Sequence, residues 1–213
     1  MTLYKFFLYN SALIRFLLRF NMSHKQKKPF LPLNIAVHTV SDTRNEENDT
    51  SGHALVERLQ AAGHNLADKK ITKDDIFHIR AVVSNWIYRD DVNVVLITGG
   101  TGFTVRDNTP QAVEPLLVKK VDGFGELFRY ISYQEIGTST LQSRALAGIS
   151  NGTLVVCMPG SPNACKTAWD KILLEQLDAS HRPCNFVEHL QNVNNKGQNK
   201  EQAEVNSSCE TRG

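Results

Sequence analysis

The sequence predicts an α/β fold: a three-layer α-β-α sandwich around a mostly parallel sheet covered by helices on both faces. Three observations predict it. Between Asn34 and Leu190, short strand-like apolar runs alternate with stretches whose apolar residues recur at helical spacing. The runs Val92 to Ile97, broken only by Asn93, and Thr153 to Met158 read as buried strands. Each of these two runs ends in a glycine-containing loop that leads into a proline-started helix.

In chain order, Ile35 to Val40 reads as the first strand. A helix over Gly52 to Ala62 follows, with Leu55, Val56, Leu59 and Ala62 on one face and Gly63 as its stop. Leu66 to Ile71 is a weaker strand. Ile76, Ile79, Val83 and Ile87 define the next helix, and Thr72 with Asp75 fits a capping box at its start. After the strand Val92 to Ile97 comes Thr98-Gly99-Gly100-Thr101-Gly102-Phe103-Thr104-Val105-Arg106-Asp107-Asn108-Thr109-Pro110, with Thr109 as N-cap and Pro110 as first helical residue. Pro115 shortens or kinks that helix. Gly123-Phe124-Gly125-Glu126 leads into a helical stretch through Tyr130, and a short helix is expected over Leu141 to Ala147. Beyond the last core strand, Ser161 caps and Pro162 starts a helix that turns Ala168, Ile172 and Leu173 inward.

The 213 residues suffice for one core, and 41% hydrophobic with 22% charged residues is the composition of an ordinary globular domain. A formal net charge of +2, not concentrated in the middle of the chain, argues against a nucleic-acid partner. Cys157, Cys165, Cys184 and Cys209 form no C-x-x-C pair and have no histidine at zinc spacing, so they read as free thiols of a cytoplasmic protein. Residues 1–33 read as an N-terminal extension. Lys5, Arg15 and Arg19 interrupt the Phe- and Leu-rich stretch Met1 to Phe20, which falls short of the roughly 18 apolar residues of a membrane span. Arg19-Phe20-Asn21 is a poor signal cleavage site, and Met22 reads as an alternative start, the residues before it being disordered or not native. A rival reading makes Met1 to Phe20 a membrane-surface segment. The domain spans 34–190, and the Asn-, Gln-, Lys- and Glu-rich tail 191–213 is expected to be disordered.

The chemistry concentrates at the loop Thr98 to Pro110. Three glycines in four residues leave backbone N–H groups uncovered, able to converge on an anion beyond the carboxyl end of a strand. Asp107 stands at the loop's far edge, where a carboxylate holds a cation or orients a nucleophile. The loop is neither a Walker A motif nor a Rossmann fingerprint: no Gly-Lys-Ser/Thr follows, and Val105 stands where a third glycine belongs. Asp74 is a second candidate acid, with placement in a helix's first turn as the competing explanation. Pro159-Gly160-Ser161-Pro162 repeats the design of the first junction and suits a phosphate or carboxylate, with simple capping as the alternative. Ser41-Asp42-Thr43-Arg44 ends the first strand as a polar cluster, either a turn or a ligand contact. His38 reads as a satisfied core histidine, Trp86 and Trp169 as packing residues, and Arg129 and Arg144 as surface or interface residues.

Several segments together resemble the molybdenum cofactor biosynthesis protein B (MoaB) family. They are Thr39 to Arg44, Asp49-Thr50-Ser51-Gly52, Thr98 to Pro110, Gly123 to Glu126, Gly137 to Arg144 and Met158 to Ser161. The resemblance covers about Asn34 to Leu190 and implies the molybdopterin-binding, MogA-like α/β fold, assembled as a homotrimer or homohexamer. It implies an adenylyltransferase: the terminal phosphate of molybdopterin attacks the α-phosphate of ATP, giving adenylyl-molybdopterin and pyrophosphate with Mg²⁺ as cofactor. Carried over residue by residue, it implies catalytic and metal-holding roles for Asp74 and Asp107. Cofactor-binding roles fall on Ser41, Asp42, Thr98, Gly99, Gly100, Thr101, Gly102, Thr109, Pro159, Gly160 and Ser161, and Thr138 to Ser143 lie beside the same pocket. The first loop, Ser-Asp-Thr-Arg, has the MoaB form, whereas MogA-like enzymes carry Ser-Asp-Arg. The rival function is a non-catalytic molybdopterin-binding or scaffold protein of the same pathway; neither membrane nor nucleic acid is an expected partner.

Overall fold

Alternate residues of a strand face opposite sides of a sheet, and in the central strands both sets are apolar. The structure, a computed structural model, describes residues 28–190. The expectations for Met1 to Phe20, the start at Met22, Cys209 and the tail 191–213 lie outside the described residues. The strands are β1 (Asn34–Val40), β2 (Asn65–Thr72), β3 (Val94–Thr98), β4 (Lys119–Lys120), β5 (Leu146–Ser150) and β6 (Thr153–Met158). The helices are α1 (Thr50–Ala61), α2 (Ile76–Tyr88), α3 (Thr109–Val113), α4 (Asp122–Ile136) and α5 (Pro162–Ala168), the last running through a π turn, Trp169–Leu173, into α6 (Leu174–Gln176).

One six-stranded sheet has the order β2-β1-β3-β6-β5-β4. The pairs β1–β2, β1–β3 and β3–β6 are parallel, while β5–β6 and β4–β5 are antiparallel. On one face Ile35, Val37, Val94, Leu96, Leu154 and Val156 pack against Leu55 and Leu59 of α1, Phe124 and Phe128 of α4, and Ala168 and Trp169. On the other, Ala36, Val95, Ile97, Val155 and Cys157 meet Ile79, Val83 and Trp86 of α2 and Ala112 and Val113 of α3. The three-layer expectation is therefore observed, and both tryptophans are core residues as expected. Trp86 is fully buried, and its Nε1–H donates to Asp68 Oδ2 at 2.9 Å. Emptying such a site costs about 3–5 kcal/mol.

The local differences have physical reasons. Helix α1 starts at Thr50, ahead of the expected Gly52, because Asp49 caps it by accepting from the Gly52 N–H at 2.9 Å. Asp75 is itself the N-cap of α2, accepting from His78 N at 2.8 Å, while Thr72 is the last residue of β2; the capping box is replaced by a simple aspartate cap. Thr109 is the first residue of α3 rather than its cap, and its hydroxyl donates to Gly99 O at 2.8 Å. Pro115 acts as expected, since α3 stops at Val113 and gives way to a 3-10 turn over Glu114–Leu116.

The helix expected over Leu141 to Ala147 is not formed. Gly137–Gln142 is a 3-10 segment, and Leu146–Ser150 is a strand. The cause lies downstream: Asn151 and Gly152 both have positive φ, 48° and 71°, and form the two-residue turn that folds β5 onto β6. His38 is buried as expected, yet only half satisfied, for Nε2 lies 2.8 Å from Thr72 Oγ1 and Nδ1 has no partner among the described residues. Burial, with the nearby His78 and Lys70, lowers its pKa to about 3, so the ring is neutral. Cys157, Cys165 and Cys184 are free thiols, the first two buried. Among the described residues no helix is long and apolar enough to cross a membrane.

Candidate functional site

Because β1, β3 and β6 run parallel, their carboxyl ends meet at one edge of the sheet, and the three loops leaving them enclose a cleft of about 450 Å³. From β1 come Ser41 and Arg44, from β3 the residues Thr98 to Gly102 and Asp107, and from β6 Pro159, Gly160 and Ser161. Thr39, Asp49 and Ser51 complete the floor, and Ile136, Ser139, Gln142 and Ser143 form the far wall.

The glycine loop is held from several sides. Gly99 and Gly100 take positive φ, 101° and 63°. A Cβ on Gly99 would stand 2.2 Å from the Val40 carbonyl oxygen, and one on Gly100 would stand 2.4 Å from both Asp74 Oδ2 and Thr109 Oγ1. The Gly99 N–H is not free for an anion, because it donates to Met158 O at 3.1 Å. The Gly102 N–H is directed at the Asp107 carboxylate. Among the described residues, the N–H groups of Gly100 and Thr101 carry no intramolecular hydrogen bond. The anion-binding capacity expected of three glycines thus narrows to one peptide pair. Arg144 braces the loop: Nε donates to Thr101 O at 3.2 Å, NH2 donates to Asp107 O at 2.6 Å, and the guanidinium stands 5.2 Å from the Phe103 ring centre. Arg144 thereby supports the site's own loop, a role the sequence reading did not give it. Arg129 likewise donates to the backbone oxygen of Ala145 at 3.2 Å.

The two candidate acids differ. Asp107 lines the cleft and accepts from the Thr104 N–H at 2.8 Å. Burial pushes its pKa upward, but the bonds from Thr104 and Gly102 and the charge of Arg144 outweigh that and hold it below the ordinary carboxylate value. Asp74 is half-buried behind Gly100 and does not line the cleft; its Oδ1 accepts from Asn108 N at 3.0 Å. Burial, helped by the negative charges of Asp107 and Asp42, raises its pKa against the bonds from Asn108. Asp42 also stays outside the cleft, pairing with Arg106 NH2 at 2.6 Å and accepting from Asp74 N at 3.3 Å. Thr109 is buried beneath the loop, also outside the lining.

Of the residues singled out from sequence, the cleft therefore gathers Ser41, Thr98, Gly99, Gly100, Thr101, Gly102, Asp107, Pro159, Gly160 and Ser161, and leaves Asp42, Asp74 and Thr109 outside its lining. Ser161 caps α5, accepting from Ala164 N at 3.1 Å. Thr98 Oγ1 donates to Pro159 O at 3.0 Å, tying the two glycine-bearing loops together. Ser41 Oγ accepts from the N–H groups of Thr43 and Arg44 at 3.3 and 3.2 Å, so the turn is real and its last residue still reaches the cleft.

Sequence reasoning gave no role to Asp49. It is fully buried, accepts from Thr39 Oγ1 at 3.0 Å and pairs with Lys69 Nζ at 3.1 Å. An aspartate immediately before a helical run was the available signal. Ser143 Oγ, in the far wall, is buried with no partner among the described residues, an unmet hydrogen-bonding group beside the cleft.

Among the described residues no three His, Cys, Asp or Glu side chains converge on a metal position. Magnesium does not need such a cage, since one or two carboxylates plus substrate phosphates hold it. Asp74 lies against Gly100 and Asp107 against Gly102 of the same loop, so the loop is flanked by carboxylates of the kind that requirement names.

Residues 36–179 match the family described as "Probable molybdopterin binding domain". The chain belongs to this molybdopterin-binding family, on its MoaB branch. It is 58% identical over 161 residues to molybdenum cofactor biosynthesis protein B of Escherichia coli K12, covering 76% of this chain and 95% of that one. A crystal structure of a molybdenum cofactor biosynthesis protein B shares 45% identity with a TM-score of 0.67, covering 72% of this chain and 94% of the other. The tungsten cofactor synthesizing protein MoaB of Pyrococcus furiosus shares 36% identity with a TM-score of 0.62, over 68% of this chain and 92% of that one.

Proposed function

We propose that the protein acts in molybdenum cofactor biosynthesis as a molybdopterin adenylyltransferase. The reading rests on the family and, above all, on one observation: two carboxylates, Asp74 and Asp107, flank a glycine loop whose Gly100 and Thr101 N–H groups make no bond of their own. Joining molybdopterin to ATP brings two polyanions together, and such transfer depends on positioning and charge stabilisation. Gly100 and Thr101 offer phosphate oxygens their N–H groups. The Pro159-Gly160-Ser161 loop closes the side where the pterin would lie. Asp107, kept ionised by its hydrogen bonds, and Asp74 would hold Mg²⁺. When bound, that ion would neutralise charge between the two phosphates.

A second reading is favoured by the place of Asp74. Its carboxylate is half-buried, bonded to Asn108 N and outside the cleft lining, an arrangement that equally suits a structural acid in a protein that binds molybdopterin without turning it over. Incubation of purified protein with molybdopterin, ATP and Mg²⁺ separates the two, by pyrophosphate release together with adenylyl-molybdopterin. Product formation is expected. Tight molybdopterin binding without product would replace the adenylyltransferase by a pterin carrier. A trimer or hexamer is the accompanying proposal, read by the mass of the assembly in solution; exposed Leu127, Tyr130, Tyr133 and Ile136 on α4 favour burial against further copies.

A further inference from the structure

Among the described residues, three cations near the cleft are committed to the protein itself. Arg106 pairs with Asp42 at 2.6 Å, Lys69 with Glu46 and Asp49, and Arg144 donates to two backbone oxygens. Arg44 differs. Among the described residues it is the single cationic side chain in the cleft lining and makes one side-chain hydrogen bond, from NH1 to Asn48 O at 2.6 Å.

The mount of Arg44 is stiff. Its backbone N–H is held by Ser41 Oγ, Asn45 N donates to Asn48 Oδ1 at 2.7 Å, and Asn48 N donates to Asn45 Oδ1 at 3.1 Å. Glu46 ties the same loop to β2 through Lys69 at 2.6 Å. One end of a planar five-donor guanidinium is therefore fixed on a carbonyl, its other donors are left unbonded among the described residues, and the residue lines a cleft whose other charged lining residues are the acids Asp49 and Asp107. A fixed, pre-oriented guanidinium loses little freedom on meeting a phosphate and gains a charge-assisted, forked hydrogen bond.

We propose that Arg44 is a substrate-binding residue that grips a phosphate group at the β1 side of the cleft. The proposal rests on the adenylyltransferase reading for its substrates, and the chemistry is shared by the phosphate of molybdopterin and the polyphosphate of ATP. The test is Arg44→Gln, with Arg44→Lys beside it, read by steady-state kinetics varying each substrate in turn and by calorimetric titration with inorganic pyrophosphate.

Arg44→Gln should raise KM for one substrate by about 10- to 100-fold, with kcat within about twofold and the melting temperature unchanged. The substrate whose KM moves identifies the phosphate gripped. Lysine keeps the charge and loses the fork, so Arg44→Lys should fall between. Unchanged KM for both substrates, or a fall in kcat alone, would overturn the proposal. Pyrophosphate separates it from the reading it rests on. A wild-type protein without turnover whose pyrophosphate affinity still drops in Arg44→Gln keeps the clamp while the adenylyltransferase falls. Without turnover, equal pyrophosphate affinity in both proteins, or none, sinks the clamp as well.

Discussion

The two strand-to-helix junctions of the cleft look alike in sequence, each a glycine-bearing loop followed by a proline-started helix, and the structure uses them in opposite ways. At Pro159-Gly160-Ser161-Pro162 the side chain serves the helix: Ser161 Oγ caps α5, and the chain continues unbroken through Leu173. At Thr98 to Pro110 the helix is only five residues long, its N-cap Asn108 makes no side-chain cap bond, and Thr109 turns its hydroxyl back to Gly99 O. The Thr98 junction stabilises a loop at the expense of a helix; the Pro159 junction stabilises a helix with a minimal loop. A shared motif therefore does not imply a shared task, and the hydrogen-bond direction of one hydroxyl separates them.

Substitutions put this contrast to the test. The largest effect belongs to Gly100→Ala, whose Cβ would meet Asp74 Oδ2 and Thr109 Oγ1 at 2.4 Å in a backbone with φ of 63°. On the proposed function, adenylyl transfer should be abolished, and stability should fall by about 2–3 kcal/mol by denaturant titration. Gly123→Ala, where a Cβ meets nothing within 4 Å, serves as the neutral control. Next, Asp107→Asn should lower kcat by about 100-fold or more while circular dichroism and the melting temperature stay near wild type. Full turnover in this variant would remove Asp107 from the chemistry.

Smaller effects divide the two hydroxyls. Ser161→Ala loses a cap and should cost about 1 kcal/mol of stability with little change in turnover. Thr109→Val should cost about the same stability but also impair turnover, because the lost bond supports the glycine loop. Equal kinetic effects would erase the distinction between the junctions.

The smallest effect concerns Asp74. A carboxyl whose folded pKa lies above its unfolded value opposes folding once ionised, so stability is lost as pH rises through the raised value. Asp74→Asn should therefore be slightly more stable than wild type at neutral pH and no more stable at a pH well below 3.8. Solvent screening keeps the gain to about 0.3–0.5 kcal/mol. Added Mg²⁺ should raise the melting temperature of the wild type more than that of the variant.

The parallel half of the sheet was legible because its strands, buried on both faces, are written as near-continuous apolar runs, and its helices carry Leu55 and Leu59 or Ile79 and Val83 at helical spacing. The antiparallel half was not. Lys119–Lys120 is two charged, exposed residues whose strand character exists only through pairing with Ile149 and Gly148. Leu146–Ser150 carries Ala147 and Gly148, which have no strand preference of their own, and only Asn151-Gly152 announced the hairpin. At the site, the glycine loop and Asp107 were legible from local pattern. The withdrawal of Asp42 and Asp74 from the cleft was not, since it depends on Arg106 and Asn108 reaching them across the fold.

The contact between the two loops has a further consequence. A Cβ on Gly160 would lie 3.0 Å from the Cα of Gly99, so the backbones of the two junctions rest directly on one another, pinned by the Thr98 hydroxyl on Pro159 O. The cleft floor is in this sense a single mechanical part made from two distant stretches of chain. Anyone transplanting this site onto another scaffold, or reshaping it for a different ligand, has to carry both loops together at their present spacing, because each backbone is a wall against which the other rests.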